Sequence, residues 1–509
     1  MSVLILDFGS QYTQLIARRM RELSVYSEIR RCDTPCSAEL KSQFAAVILS
    51  GGPASVTDAD APEFDAAWLN AGLPVLGVCY GMQLIAHLMG GRLEAGSSRE
   101  YGPTELKITS PGELFDRVPP TTPVWMSHGD HVAALPAGFT ALASSAGAPF
   151  AAAGDAQRRI FAVQFHPEVV HSRDGTRMLE NFITKIAKIK RDWTPGNLVV
   201  RLTEKIQAAM PGDAQVLCAL SGGVDSTVAA VLASKAIGNR LHCFFVDNGL
   251  LRKNEADDVM NLFNGLGLNV TRVDAADEFL SNLKGIVDPE QKRKAIGRVF
   301  VEVFERYAHS LPSVTHLMQG TLYPDVIESS PVRGPSTTIK THHNVGGLPE
   351  RMKLKLLEPF RELFKDEVRA IGRELGVPAS IVERQPFPGP GLAVRILGEV
   401  TTERVARLQA ADKIIRDCVA ADPVNRTLWQ VFGVLLPVKS VGLMGDGRTY
   451  DECIAVRAVT SQDGMTADWA YLPEAVLRKI SNRVINEVKG INRVVLDISS
   501  KPPATIEWE

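Results

Sequence analysis

A cysteine between two glycines, Gly77-Val78-Cys79-Tyr80-Gly81, follows a short apolar run and precedes an apolar helical segment, 82–89. The spacing matches the G-x-S-x-G nucleophile elbow with sulfur in place of oxygen, and the glycines permit the tight turn that lifts the nucleophile out of a sheet. A free thiol titrates at about 8.5, and a helix N-terminus below it together with a neighbouring imidazole favours the reactive thiolate. The imidazole candidate is His166, in Phe161-Ala162-Val163-Gln164-Phe165-His166-Pro167-Glu168. In an extended segment residues two apart face one side, so Glu168 can orient the ring that serves Cys79. Nucleophile, base and orienter are recognised by these roles rather than by spacing.

Taken alone, a cysteine is usually a small buried hydrophobe, and a lone histidine a satisfied core or surface residue. The conjunction with Ser50-Gly51-Gly52-Pro53 changes that balance, because its exposed backbone N–H groups can bind an oxyanion.

A second constellation, Ser221-Gly222-Gly223-Val224-Asp225-Ser226-Thr227, closes one apolar run and opens a helical pattern. Two glycines let backbone N–H groups approach an anion, the serines add donors, and the helix dipole favours negative charge, so a phosphate site is expected. The chain has no G-x-x-x-x-G-K-[ST], so the Walker lysine is missing. Asp225 suits a metal that bridges phosphates. The plain alternative is a glycine turn with an Asp-Ser helix cap.

Both constellations need strand ends to hold them. Apolar runs at 3–6, 46–49 and 74–78 alternate with helical patterns, the rhythm of a parallel, helix-covered sheet. A helix over about 177–190 leads to the polar Pro/Gly stretch 191–197, which marks a boundary. A strand over 215–220, the glycine turn, a helix carrying Val224, Val228 and Leu232, and a strand over 241–246 form a second unit of this kind. Beyond about 395 a helix over 401–420 and apolar runs at 431–436 and 454–459 read as a smaller α+β domain. The expected fold class is α/β: two tandem doubly wound, largely parallel-sheet domains, 1–193 and 194–395, followed by 396–509.

The chain has 509 residues, 45% of them hydrophobic, which is enough for roughly three domains of about 150 residues. Lys and Arg number 56 against 58 Asp and Glu, a balance that supplies no field to attract nucleic acid or an acidic membrane. Small-molecule substrates are therefore expected. Seven scattered cysteines point to a reducing, cytoplasmic setting rather than a disulfide framework. The four apolar residues 3–6 are too few for a signal peptide, and the uncharged stretch 131–154 is broken by Pro136 and Pro149 and reads as Ala-rich strands and turns.

The motifs G-V-C-Y-G-M-Q, S-G-G-P and F-H-P-E resemble the class I glutamine amidotransferases over about 2–193. The resemblance implies a cysteine thioester of glutamate, formed as ammonia leaves, with the amide N–H groups near Gly52 and Tyr80 stabilising the oxyanion. The loop 221–227 resembles that of the ATP pyrophosphatases, which cleave ATP to AMP and pyrophosphate while adenylating an acceptor. Val246, in Phe245-Val246-Asp247-Asn248-Gly249, lies where that family holds adenosine. Three further stretches, 319–329, 339–344 and 386–391, and the end Lys501-Pro502-Pro503-Ala504-Thr505-Ile506-Glu507-Trp508-Glu509 resemble the GMP synthetase family.

That last resemblance implies XMP, ATP and L-glutamine as substrates, Mg2+ accompanying ATP with Asp225 as its ligand, and no tightly bound organic cofactor. It also implies a homodimer formed by 396–509, a domain that returns its end to the XMP site. Residues 330–338 have the composition of a lid, with Asp325, Glu328 and Lys340 around it and Lys340 bringing charge to the phosphates. Arg395, Lys501 and Glu507 are the XMP candidates, Arg395 for the nucleotide phosphate. The adjacent His342 and His343 diverge in an extended chain and are not assigned as metal ligands.

Three alternatives stay open on the sequence. The same two domains can amidate another adenylated acceptor. The folds can serve a nucleotide sensor without turnover, which would not require the complete set of Cys79, His166, Glu168 and Asp225. An RNA-modifying enzyme can carry such a loop, but the charge is balanced and Cys32 and Cys36 are four residues apart with no third cysteine close by.

Overall fold

The computed structural model describes residues 2–311, 313–329, 354–444, 447–461 and 466–509. The expected lid 330–338, Lys340, His342 and His343 lie outside the described residues. The chain divides into two compact units, Met1–Asn197 and Leu198–Glu509.

The first unit is built on a nine-stranded sheet. Five parallel strands, Ser27–Arg31, Ser2–Asp7, Phe44–Leu49, Val75–Val78 and Ile160–Val163, lie side by side in that order. The three expected apolar runs are among them, and Val3, Leu4, Ile5, Val47, Ile48 and Val75 have no exposed surface, as strands covered on both faces require. The sheet then continues antiparallel through Ala152–Asp155, Thr140–Ser144, Arg92–Ile108 and Thr121–Ala134. The last two strands form long arms that the sequence reading left out.

The helix expected over 177–190 is shorter. It runs Gly175–Asn181, widens into a π turn at Phe182–Ile186, and stops before Lys188, whose φ is +52°. The wider turn places Phe182, Ile183 and Ile186 all in the core, and a left-handed residue cannot continue the helix.

The second unit holds a five-stranded, fully parallel sheet in the order Val270–Asp274, Leu241–Asp247, Gln215–Leu220, Val314–Met318, Lys355–Leu357. A further sheet pairs Gln430–Met444 with Gly447–Thr460 antiparallel, and Ile491–Asp497 joins the latter in parallel. The helix Thr402–Ala420 is capped by the Thr401 side chain, which accepts the Arg404 N–H, so the expected start at 401 is the cap itself. One apolar core runs from Leu217 and Phe244 through Leu408 and Ile415 to Ile454 and Val456. The change of sheet near 395 therefore takes place within a shared core. Among the described residues, no helix is long and apolar enough to cross a membrane.

Candidate active site

Cys79 sits between the end of strand Val75–Val78 and the helix Tyr80–Leu88, with φ +52° and ψ −103°. An L-residue held there stores on the order of 1–3 kcal/mol of strain, so the surroundings must impose it. They do so through the flanking glycines. A Cβ on Gly77 would lie 2.6 Å from the Gly81 carbonyl oxygen, and one on Gly81 would collide with the Leu49 carbonyl. The Cys79 N–H donates to the Val163 carbonyl at 2.8 Å, and the Gly81 N–H to the Ser50 carbonyl at 3.1 Å. Strand ends on both sides thus fix the elbow. The helix begins two residues earlier than expected, which makes Tyr80 its first residue and leaves that N–H without an intrahelical acceptor. Burial pushes the Tyr80 phenol up to about 12, so its hydroxyl stays protonated and uncharged at neutral pH.

His166 Nδ1 lies 2.8 Å from Glu168 Oε1, and both side chains are buried. The pair does not lie in the strand, which ends at Val163, but in the turn beyond it. The turn is held by the His166 N–H, which donates to Trp125 O at 3.0 Å, and by Ser172 Oγ, which donates to His166 O at 2.5 Å. Burial alone would pull the imidazole pKa down. The Glu168 charge, hydrogen bonds to Cys79 and Glu168, and the Cys79 charge outweigh it and push His166 up to about 10. The ring is thus an imidazolium at neutral pH, the partner a thiolate needs.

The glycine loop also meets this centre. A Cβ on Gly51 would stand 3.0 Å from His166 Cε1, and one on Gly52 would stand 2.7 Å from the Phe8 carbonyl oxygen. Only glycine lets the 51–52 backbone come this close. Three neighbours escaped the sequence reading. Gln164 Nε2 points at the Cys79 sulfur from 3.8 Å, Ser127 O lies 3.5 Å from that sulfur, and the Tyr12 ring meets His166 edge-on at 5.0 Å. Gln164 was the one within reach, since it stands in the same motif as His166.

In the second unit, the loop 221–227 joins strand Gln215–Leu220 to helix Val224–Ile237, as expected. Gly222 has φ +72°. Ser221 Oγ lies 3.1 Å from Ser226 Oγ and accepts the Gly223 N–H at 3.3 Å, and Thr227 Oγ1 donates to Gly223 O at 2.8 Å. Val246 is buried at the end of the adjacent strand Leu241–Asp247. Arg384 Nη1 donates to Gly222 O at 2.7 Å while its guanidinium pairs with Glu255, so an arginine braces the loop from behind.

Asp225 Oδ2 lies 3.4 Å from Lys365 Nζ, and Asp225 Oδ1 is buried without a hydrogen-bond partner. Burial raises the Asp225 pKa and Asp325 adds to the rise, against the pull of Lys365 and Arg369. Lys365 opens the helix Lys365–Glu374, where the dipole disfavours a cation. Its ammonium therefore stands beside the carboxylate of the loop's Asp225. Asp325 Oδ2 accepts the Leu322 N–H at 3.1 Å, and Glu328 falls in the same helix, Tyr323–Ser329.

Arg395 is wholly buried, and its guanidinium meets Glu507 through bonds of 2.9 and 2.7 Å, while Nη1 is buried without a hydrogen-bond partner. Glu507 keeps part of its carboxylate exposed. Lys501 pairs through its backbone with Ala467 at the start of the final segment.

A strained elbow thiol beside a buried imidazolium–carboxylate pair, on a chain that also carries a glycine-rich phosphate loop, describes an amidotransferase joined to a nucleotide-using unit. Family profiles agree: "Glutamine amidotransferase class-I" matches residues 4–186, "NAD synthase" 197–299 and "GMP synthase C terminal domain" 417–508. Curated glutamine-hydrolysing GMP synthases from Oleidesulfovibrio alaskensis, Chlorobaculum tepidum and Aquifex aeolicus are 57%, 56% and 54% identical, each across 100% of this chain and 99% of its own length. The chain belongs to the family of glutamine-hydrolysing GMP synthases, ATP-dependent carbon–nitrogen ligases that make GMP with glutamine as nitrogen donor.

Proposed function

We propose that the chain converts XMP, glutamine, ATP and water to GMP, glutamate, AMP and pyrophosphate, with the nitrogen released at Cys79 and used at the loop 221–227. The observation that carries the reading is the buried 2.8 Å contact of His166 with Glu168 next to the elbow. The Cys79 thiolate attacks the glutamine carboxamide, forming a C–S bond, and the Gly52 and Tyr80 N–H groups stabilise the oxyanion. His166 protonates the leaving nitrogen, the C–N bond breaks and ammonia departs. Water then cleaves the thioester to glutamate, with His166 taking its proton and Glu168 holding the ring.

At the second centre the C2 oxygen of XMP attacks the α-phosphorus of ATP and pyrophosphate leaves. Ammonia then displaces AMP from C2. Ser221, Gly222, Gly223, Ser226 and Thr227 cradle the phosphates at the start of the helix carrying Val224, and Val246 lines the adenosine side. Lys501 and Glu507 meet XMP, and Asp325, Glu328 and Lys340 belong to the lid.

A Mg2+ ion with ATP fits Asp225, whose buried Oδ1 lacks a partner. Among the described residues no group of three or more His, Cys, Asp or Glu is placed to hold a metal, so the phosphates would supply most of the ligands, as is usual for Mg2+. The ion would neutralise the phosphate charge. The division into 1–193, 194–395 and 396–509, a homodimer through the last of these and a cytoplasmic setting complete the proposal.

The test separates the two nitrogen sources. Cys79→Ala is expected to abolish GMP formation from glutamine and to leave formation from ammonium intact. Loss of both in a folded protein would overturn the division of labour, and absence of GMP, AMP and pyrophosphate with XMP, ATP and ammonium would overturn the acceptor.

A further inference from the structure

The segment 501–509 contains no helix and only a single β-bridge, at Lys501, so side chains must hold its shape. Two buried cations fix its last three residues, while a third, Arg457, donates to the Thr505 carbonyl at 3.2 Å. Arg395 grips Glu507 through a two-pronged contact, Nε to Oε2 at 2.9 Å and Nη2 to Oε1 at 2.7 Å. Lys292, from the helix Pro289–His309, donates to Glu509 Oε2 at 2.5 Å and to the Ile396 carbonyl at 2.7 Å. Neither cation has any exposed side-chain surface, so neither can meet a ligand from this position. The two anchors converge on the peptide 395–396.

Aromatic rings immobilise the guanidinium. Arg395 Cζ stands 3.8 Å from the Phe432 ring centre and 5.3 Å from that of Phe387. Gln430 Nε2 adds a third donor to Glu507 Oε1 at 3.2 Å and is itself fixed by a 2.9 Å bond to Pro386 O. The Glu507 carboxylate is therefore locked in orientation, while its side chain remains 20% exposed. A carboxylate can only accept hydrogen bonds, and one held this way presents its remaining lone pairs in a set direction.

We infer that Arg395, backed by Lys292, is a positioning residue that aims the Glu507 carboxylate at donor groups of XMP. The inference rests on the reading that Glu507 meets XMP. The strength of the arrangement lies in the fork: lysine conserves the charge but cannot make two parallel bonds to one carboxylate.

The test uses the full chain with ammonium as nitrogen source. Arg395→Lys is expected to raise the XMP KM about tenfold or more, the scale of a lost charge-assisted bond, with the ATP KM changed less than about twofold and glutaminase activity unchanged. Glu507→Gln should raise the XMP KM alone, and the double variant should be no worse than Glu507→Gln, because both changes remove one interaction. An XMP KM unmoved by Glu507→Gln overturns the reading that Glu507 meets XMP. A Glu507→Gln effect without an Arg395→Lys effect, or with effects that multiply in the double variant, overturns the brace. Should Arg395→Lys fail to fold, Lys292→Gln substitutes: it should raise the XMP KM with the ATP KM unchanged, and no change in the XMP KM overturns the inference.

Discussion

His166 and Glu168 are joined by a 2.8 Å contact in a turn from which water is almost wholly excluded. Against the burial that opposes it, the carboxylate and the Cys79 sulfur together keep the imidazole protonated up to about pH 10. Glu168 thus orients the ring and, together with Cys79, holds its charge.

Glu168→Gln keeps the shape and removes that charge. Glutaminase kcat is expected to fall by about 10²-fold or more, with GMP formation from ammonium retained. Steady-state assays with the two nitrogen sources check this, and an equal loss in both would count against the assignment.

The same pair sets a pH dependence. The folded-state pKa of His166 is raised above the usual 6.5, so its contribution to stability is full below about 6.5 and is lost as pH rises through about 10. The alkaline limb of the glutaminase profile should therefore lie near pH 10 and move toward neutrality in Glu168→Gln. Coincident limbs in the two proteins would refute this.

Gly81→Ala places a methyl group against the Leu49 carbonyl, and the backbone on either side cannot yield. A cost of about 1–3 kcal/mol and loss of glutaminase activity are expected, with thermal melting and glutamine turnover as the measurements. Near-native glutaminase would show that the elbow tolerates displacement.

Asp225→Asn should abolish GMP formation from both nitrogen sources. Lys365→Met should raise the ATP KM while changing stability by no more than about 1 kcal/mol, because the ion pair is partly exposed. An ATP KM unaffected in Lys365→Met would remove Lys365 from the phosphate site.

The elbow and the phosphate loop were legible because each is local: glycines at fixed offsets force one backbone path whatever surrounds them. His166 and Glu168 were paired for a reason that the structure replaces, since the turn after Val163, not strand alternation, brings them together. Lys365, Arg384 and the Arg395–Glu507 fork depend on contacts between distant segments, the last across 112 positions, and no local spacing signals them. The antiparallel arms Arg92–Ile108 and Thr121–Ala134 were missed for the same reason, because register across a sheet is a tertiary property.

The positive φ of Cys79 has an implication for engineering. The conformation is imposed by Gly77, Gly81 and the strand ends, not by the sulfur, so the elbow is a socket whose central side chain can be exchanged. A serine or alanine there should leave the mould intact, yielding a chain that still captures glutamine and makes GMP from ammonium but no longer hydrolyses glutamine at the native rate. By contrast, the neighbouring glycines contribute no reactive atom, yet they are the positions at which almost any replacement would be felt.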